Sequence, residues 1–375
     1  MNRAVFLLIL SCSIIFSIGL IMVFNTTSAE ILNKSLEVNT NLALVKQFIY
    51  GMCGVLIGLF VWLIGYHKII KISPYLLSAC VFLLILVFVP KIGQTINGAK
   101  RWVGIASLTL QPSEFAKFII PIYFVYYATK NNCLLELKDF LKVILLFSIP
   151  ISLILIEPDT GTTIIILSTL VIMFVLMKIK FSYWALPLLI FVFSGAVTAY
   201  NMPHVRSRIN VYLHPELDLL GKGHQPYQAK IAVGSGKLTG RGLGESMQKL
   251  DYLPEARSDY IAAIYAEEFG FFGIIFLIAL YMCIFFAGFS IAMRAKDKVG
   301  FYLAGVLTFL ISYQAFLNLG VVSCLLPSKG VTLPFFSQGG TSLIVNIVAI
   351  FLLLNIASQK KEKEEEECLL EEQKY

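Results

Sequence analysis

The sequence predicts an all-α polytopic membrane protein, with about ten transmembrane helices and one large extracytoplasmic loop. Three observations carry this expectation. Of 375 residues, 58% are hydrophobic and only 14% charged, against about 25% charged in a soluble domain, so lipid must solvate part of the apolar surface. The apolar residues gather into runs near membrane-spanning length. One long polar stretch, 201–260, divides them into a group of seven and a group of three.

The first run, 5–24, follows Asn2 and Arg3. It is longer than the ~7–15 apolar residues of a signal peptide and reads as an uncleaved anchor. Further runs cover 47–66, 74–90, 114–128, 140–156, 162–177 and 183–200, then 261–293, 300–319 and 341–356. Several lie near the short limit for a span, so their ends are soft. Residues 1–358 form one membrane domain, with the 201–260 loop between spans 7 and 8, followed by a mixed-charge tail at 359–375.

Basic residues set the orientation. With the N-terminus inside, the inner loops carry Lys68 and Lys71, then Lys130, Lys138 and Lys142, then Lys178 and Lys180, then Arg294, Lys296 and Lys298. The tail adds Lys360, Lys361 and Lys363. Both termini are expected in the cytoplasm, with Lys100 and Arg101 as outer exceptions. The formal charge of +7 is thereby explained by membrane flanks, and no nucleic acid is expected as a partner. Seven dispersed cysteines without a CxxC pair exclude a disulfide framework or zinc site and read as small packing residues.

Four polar clusters are expected on the outer side. The first spans 97–102, with Arg101, and 111–117, where Pro112 and Ser113 start a helix. Glu114 and Lys117 follow on one helix face. Charges within a span face protein or a wet cavity, although this pair could simply lock helices. The second cluster holds Glu157, Pro158 and Asp159, whose carboxylate could cap the next helix. The third is the glycine-rich 201–260 loop, with Arg206, Arg208 and His214, ending at Asp259 where the chain re-enters the membrane. A carboxylate at such a boundary suits general-base work; an ordinary helix-start carboxylate is the plain alternative. Glu267 and Glu268 follow in the same helix, and at least one should face the bundle. The fourth cluster, 326–342, includes Lys329, Ser337, Gly339 and Gly340, and reads as a re-entrant segment lining a cavity. Basic groups and glycine N–H groups suit an anionic head group at the bilayer surface. No Walker, zinc-protease or dinucleotide motif is present. The residues alone stop at a membrane enzyme or transporter for an anionic, lipid-like substrate.

In order and spacing, the stretches 97–102, 111–117, 158–162, 206–244, 253–270 and 327–342 resemble the SEDS family (shape, elongation, division and sporulation) of bacterial cell-wall proteins. The segments 246–256 and 327–330 look more like its division members than its elongation members. The resemblance implies a peptidoglycan glycosyltransferase that polymerises lipid II in the bacterial inner membrane, at the division septum. Undecaprenyl-pyrophosphate-linked glycan would be the donor and lipid II the acceptor. Asp259 matches the family's essential aspartate and would deprotonate the GlcNAc 4-hydroxyl, with inversion at the MurNAc anomeric carbon. Arg101, Lys117 and Arg206 match basic positions, with Lys329 weaker; Ser337, Gly339 and Gly340 would line the substrate loop. Glu114 and Asp159 become cavity carboxylates, structural or metal-contacting. A divalent cation (Mg or Mn), a class B penicillin-binding protein and other divisome proteins are the implied cofactor and partners. The chain departs from the family pattern at Glu157, where Gln is usual before Pro-Asp, at Arg257 and Ser258, and at Lys230 and Gln338. The alternatives are a lipid II flippase, which needs a polar path open to both leaflets, and a non-catalytic divisome scaffold, which needs no carboxylate at head-group level.

Overall fold

The computed structural model describes residues 3–33, 41–96, 99–105, 108–130, 136–201, 212, 223–250 and 253–372. Among these, the elements in chain order are α1 (Arg3–Asn33), α2 (Leu42–Ile64), α3 (Tyr66–Leu86), β1 (Gly93–Ile96), β2 (Ala99–Ile105), β3 (Leu108–Leu110), α4 (Pro112–Lys130), α5 (Leu137–Ile156), α6 (Thr160–Leu176), α7 (Phe181–Asn201), α8 (His224–Ser235), α9 (Ile261–Met293), α10 (Lys298–Val322) and α11 (Gly340–Glu372). Among the described residues, seven helices are long and apolar enough to cross a membrane: α1, α2, α3, α5, α9, α10 and α11. α6 is apolar but short at 17 residues, and α4 carries Glu114 and Lys117 in its first turns. The expected ten spans are therefore not all met by that measure.

Packing follows membrane rather than soluble logic. In α2 the buried positions are Ala43, Gln47, Gly51, Gly54 and Gly58, whereas Phe48, Phe60 and Leu63 point outward. The glycine stripe lets α11 approach: a Cβ on Gly58 would lie 2.2 Å from the Phe351 ring, and one on Gly54 3.0 Å from Ile347. Small residues at a seam are how helices associate where lipid competes for apolar contact. α1 packs on α9, α9 on α10, and α3 on α4.

Three features differ from the sequence expectation. α3 begins at Tyr66, eight residues before the run that opens at Pro74, because Gly65 (φ 85, ψ 146) ends α2 and restarts the chain at once. Pro74 then sits inside the helix. The Ile70 carbonyl that it leaves without an N–H partner accepts the Ser73 hydroxyl at 2.6 Å. A three-stranded antiparallel sheet, β1-β2-β3, fills the α3–α4 connection. The 201–260 loop contains a twelve-residue helix, α8. Arg206, Arg208, His214 and Asn97 lie outside the described residues.

Candidate active site

β2 sets the first wall. Side chains alternate across a strand, so Arg101 shares a face with Val103, which is buried. Arg101 reaches the turn before α6: Nε donates to the Glu157 carbonyl at 3.0 Å and Nη2 to the Pro158 carbonyl at 2.6 Å. Its Nη1 faces Asp159 Oδ1 at 3.9 Å. Two of the three nitrogens are thus spent on main-chain carbonyls that fix the direction of the third.

Asp159 caps α6 by accepting from Thr162 N at 3.1 Å. Its other oxygen takes hydroxyl donations from Thr162 (2.9 Å) and Ser113 (3.1 Å) and the Gln111 amide at 3.3 Å. Its lone pairs are therefore largely committed to the protein. Glu157 is different. It is buried, and neither carboxylate oxygen has a hydrogen-bond partner among the described residues. Burial pushes its carboxyl up to about 8, with Asp159 adding to the rise and Arg101 opposing it. A protonated Glu157 at neutral pH has the shape and neutrality of glutamine.

Lys117 and Glu114 form a buried pair at 2.7 Å. Lys117 Nζ also donates to Gln314 Oε1 at 2.7 Å, and Gln314 Nε2 donates to the Thr332 carbonyl at 2.8 Å. The network ties α4 and α10 to the 326–342 segment from below. Lys117 is fully buried in this role, not presented to a groove.

Asp259 is half-buried two residues before α9. Asn318 of α10 donates to the Asp259 carbonyl at 2.8 Å and to the Val331 carbonyl at 2.7 Å, pinning the two segments together. The side chains converge on Gly330. A Cβ there would lie 3.2 Å from Asp259 Oδ2 and 3.9 Å from Arg101 Nη1. One exposed glycine thus faces a carboxylate and a guanidinium at once. Next to it, Lys329 is partly buried, and desolvation lowers the proton affinity of its amine.

Ser337, Gly339 and Gly340 are placed elsewhere. Gln47 Nε2 donates to the Ser337 carbonyl at 3.0 Å, and Gly339 N donates to Gln47 Oε1 at 3.4 Å. A Cβ on Gly340 would lie 2.6 Å from the Tyr50 ring. This part of the segment is seated on α2. The residues missed by sequence reasoning are Gln314 and Asn318. Two amides four apart in an apolar span share a helix face and were a usable signal. An apolar cavity of about 680 Å³ opens along α9 and α10 below the same end, with Tyr281, Phe285, Phe309 and Phe316 in its lining.

The architecture defines a class: a helical membrane bundle in which a carboxylate and a guanidinium meet at an exposed glycine at one end, with an apolar cleft along α9 and α10. Comparison with known proteins gives the family. The cell cycle protein family of FtsW, RodA and SpoVE matches residues 5–362, and the chain belongs to it as a multi-pass membrane protein. It is 36% identical over 360 residues to a probable peptidoglycan glycosyltransferase FtsW of Nitrosomonas europaea, covering 93% of this chain and 92% of that one. It is 32% identical over 354 residues to stage V sporulation protein E of Bacillus subtilis, covering 94% and 96%. Its fold matches a chain from a solved peptidoglycan synthase complex that coordinates polymerization and crosslinking. That match has a TM-score of 0.72 at 23% identity and covers 94% of this chain and 97% of that chain.

Proposed function

We propose that this chain is a peptidoglycan glycosyltransferase that polymerises lipid II, with Asp259 as general base. The observation that carries the reading is the convergence of Asp259 and Arg101 on Gly330 at the half-buried end of the bundle. The relatives named as FtsW support the reaction class.

In the proposed step the GlcNAc 4-hydroxyl of the incoming lipid II lies against Gly330, where the missing side chain leaves room for a sugar. Asp259 takes the hydroxyl proton as the oxygen attacks the MurNAc anomeric carbon, and the bond to undecaprenyl pyrophosphate breaks with inversion. Negative charge grows on the leaving pyrophosphate. A guanidinium already aimed and partly shielded from water stabilises that charge without reorganising. Arg101 is held in this way, and Lys329 is the chain neighbour of Gly330. A phosphate brought next to Lys329 would favour its charged form, against the desolvation that lowers its proton affinity. The apolar cleft along α9 and α10 suits an isoprenoid chain.

The described residues hold no grouping of three or more His, Cys, Asp or Glu side chains able to bind an ion, and Asp159 is committed to capping. They do not fit a protein-built cation cage. A Mg or Mn ion would have to draw most of its ligands from substrate phosphate and water.

The basic residues of the opposite loops support a cytoplasmic side for both termini, with the Asp259 end outside. The partner would be a class B penicillin-binding protein, acting at the division septum. The test is to supply the purified chain, with and without that transpeptidase, with labelled lipid II. Moenomycin-resistant glycan strands are the expected product. Their absence from well-folded complex, or transbilayer movement of lipid II without polymer, would overturn the reading.

A further inference from the structure

The first nine residues of α9, which follow Asp259, are set off from the rest of the helix by a break. The helix breaks at Gly270 (φ 66, ψ −160), so residues 261–269 depend on lateral contacts for their position. The loop supplies one set through backbone alone. Arg241 N donates to the Glu267 carbonyl and Gly242 N to the Glu268 carbonyl, both at 3.0 Å. Past the break, Phe271 N donates to Lys237 O at 2.9 Å and Phe272 N to Leu238 O at 3.2 Å. The chains lie so close that a Cβ on Gly240 would come within 2.0 Å of Glu268 O.

A second set is polar, buried and outside the proposed chemistry. Asn25 of α1 stands between Lys249 of the loop and Glu268 of α9. Its Nδ2 donates to both Glu268 oxygens, at 2.8 and 2.7 Å, and its Oδ1 accepts from Lys249 Nζ at 2.8 Å. Lys249 Nζ also donates to Glu268 at 3.0 Å and to the Gly244 carbonyl at 2.5 Å. The Lys249 and Glu268 side chains are 6% and 0% exposed, so neither charge can be left to water. Glu267 is bound alongside by Ser246, the N–H groups of Met247 and Gln248, and Arg241. α1 touches the other wall as well, since a Cβ on Gly19 would lie 2.7 Å from Phe336 O. The first helix thus contacts both the segment that carries Gly330 and the helix that follows Asp259.

We propose that Lys249, Asn25 and Glu268 form a positioning lock for Asp259, fixing the first nine residues of α9 to α1 and the loop so that the carboxylate stays beside Gly330 and Arg101. A buried pair bridged by an amide has one satisfied geometry and several costly ones, which suits it to specifying position. The proposal rests on the reading of Asp259 as base.

The test uses the full chain with its transpeptidase and labelled lipid II, with rates measured across the pH range in which carboxylates titrate. Glu268→Gln and Lys249→Met should each lower kcat by about tenfold or more with KM within about twofold. The acid limb of the pH–rate profile should move upward by about half a unit, because a base that drifts from Arg101 loses the cation that favours its ionised form. Lys249→Arg keeps the charge but must repack a larger head in a buried site, and should fall between wild type and Lys249→Met in both kcat and limb position. Variants whose rates fall only with their folded fraction, on an unshifted limb, would overturn the lock. Should Lys249→Met not fold, Glu268→Gln, which changes charge but not shape, decides alone. Asp259→Ala is run beside them. A normal rate in that variant brings down the general-base reading and the lock together. An inactive Asp259→Ala beside normal Glu268→Gln and Lys249→Met brings down the lock only.

Discussion

Gly330→Ala is a small perturbation at the point where the proposed chemistry converges. Gly330 does not have a positive φ, so alanine is accepted by the backbone and the variant should fold. Its methyl would stand 3.2 Å from Asp259 Oδ2 and 3.9 Å from Arg101 Nη1. The first distance is tighter than ordinary contact, so the carboxylate must move by a few tenths of an ångström. The methyl also occupies space that the reading gives to the sugar hydroxyl. A misplacement approaching 1 Å costs about 100-fold in rate. A smaller shift should cost about tenfold, or about 1.4 kcal/mol of barrier. Gly330→Val, which cannot be cleared by so small a shift, should cost about 100-fold or more. The assay is the initial rate of polymer formation from labelled lipid II, with thermal unfolding in the same detergent to show that stability is retained. Wild-type rates in both variants would refute the placement of substrate against Gly330.

Glu157→Gln should change the pH dependence of stability. The Glu157 carboxyl is raised from 4.5 to about 8 in the folded protein, so between those values the folded state holds a proton that the unfolded state has lost. Wild-type stability should therefore fall as pH rises through that window, and the glutamine variant should gain Tm over wild type until the difference levels above about pH 8; a constant difference contradicts this. Lys117→Met strands Glu114 in a buried site and should destabilise by about 3–5 kcal/mol, part of which returns in the Glu114→Gln, Lys117→Met double variant. Chemical denaturation measures both. Gly270→Ala must hold alanine at φ 66 with its Cβ 2.3 Å from Gly240 N. It should lower stability by at least about 1–3 kcal/mol, read by the same unfolding curves.

Much of the helical framework was legible because membrane burial writes itself as uninterrupted apolar runs. The helices around 5–24, 140–156, 261–293 and 300–319 all contain their sequence-derived cores. What failed was local. The apolar run was read from Pro74, but the helix continues back through it to Tyr66, with a neighbouring serine hydroxyl on the carbonyl that the proline frees. The three-stranded sheet was missed because its strands are short and mix glycine with polar residues. At the site, Asp259, Arg101 and Asp159 could be singled out as polar residues at span ends. Their meeting at Gly330 is a tertiary fact between segments far apart in the chain. Ser337, Gly339 and Gly340 illustrate the converse. Their composition suggests a ligand loop, whereas Gln47 and Tyr50 of α2 already occupy that space.

The most direct test is the rate at which Asp259→Ala and Asp259→Asn, folded and bound to the transpeptidase, convert labelled lipid II into glycan. General-base catalysis contributes about 10²–10⁴-fold, so both variants should lose at least about 100-fold while still retaining substrate and partner. Polymer formed by either variant within about twofold of the wild-type rate would contradict the account.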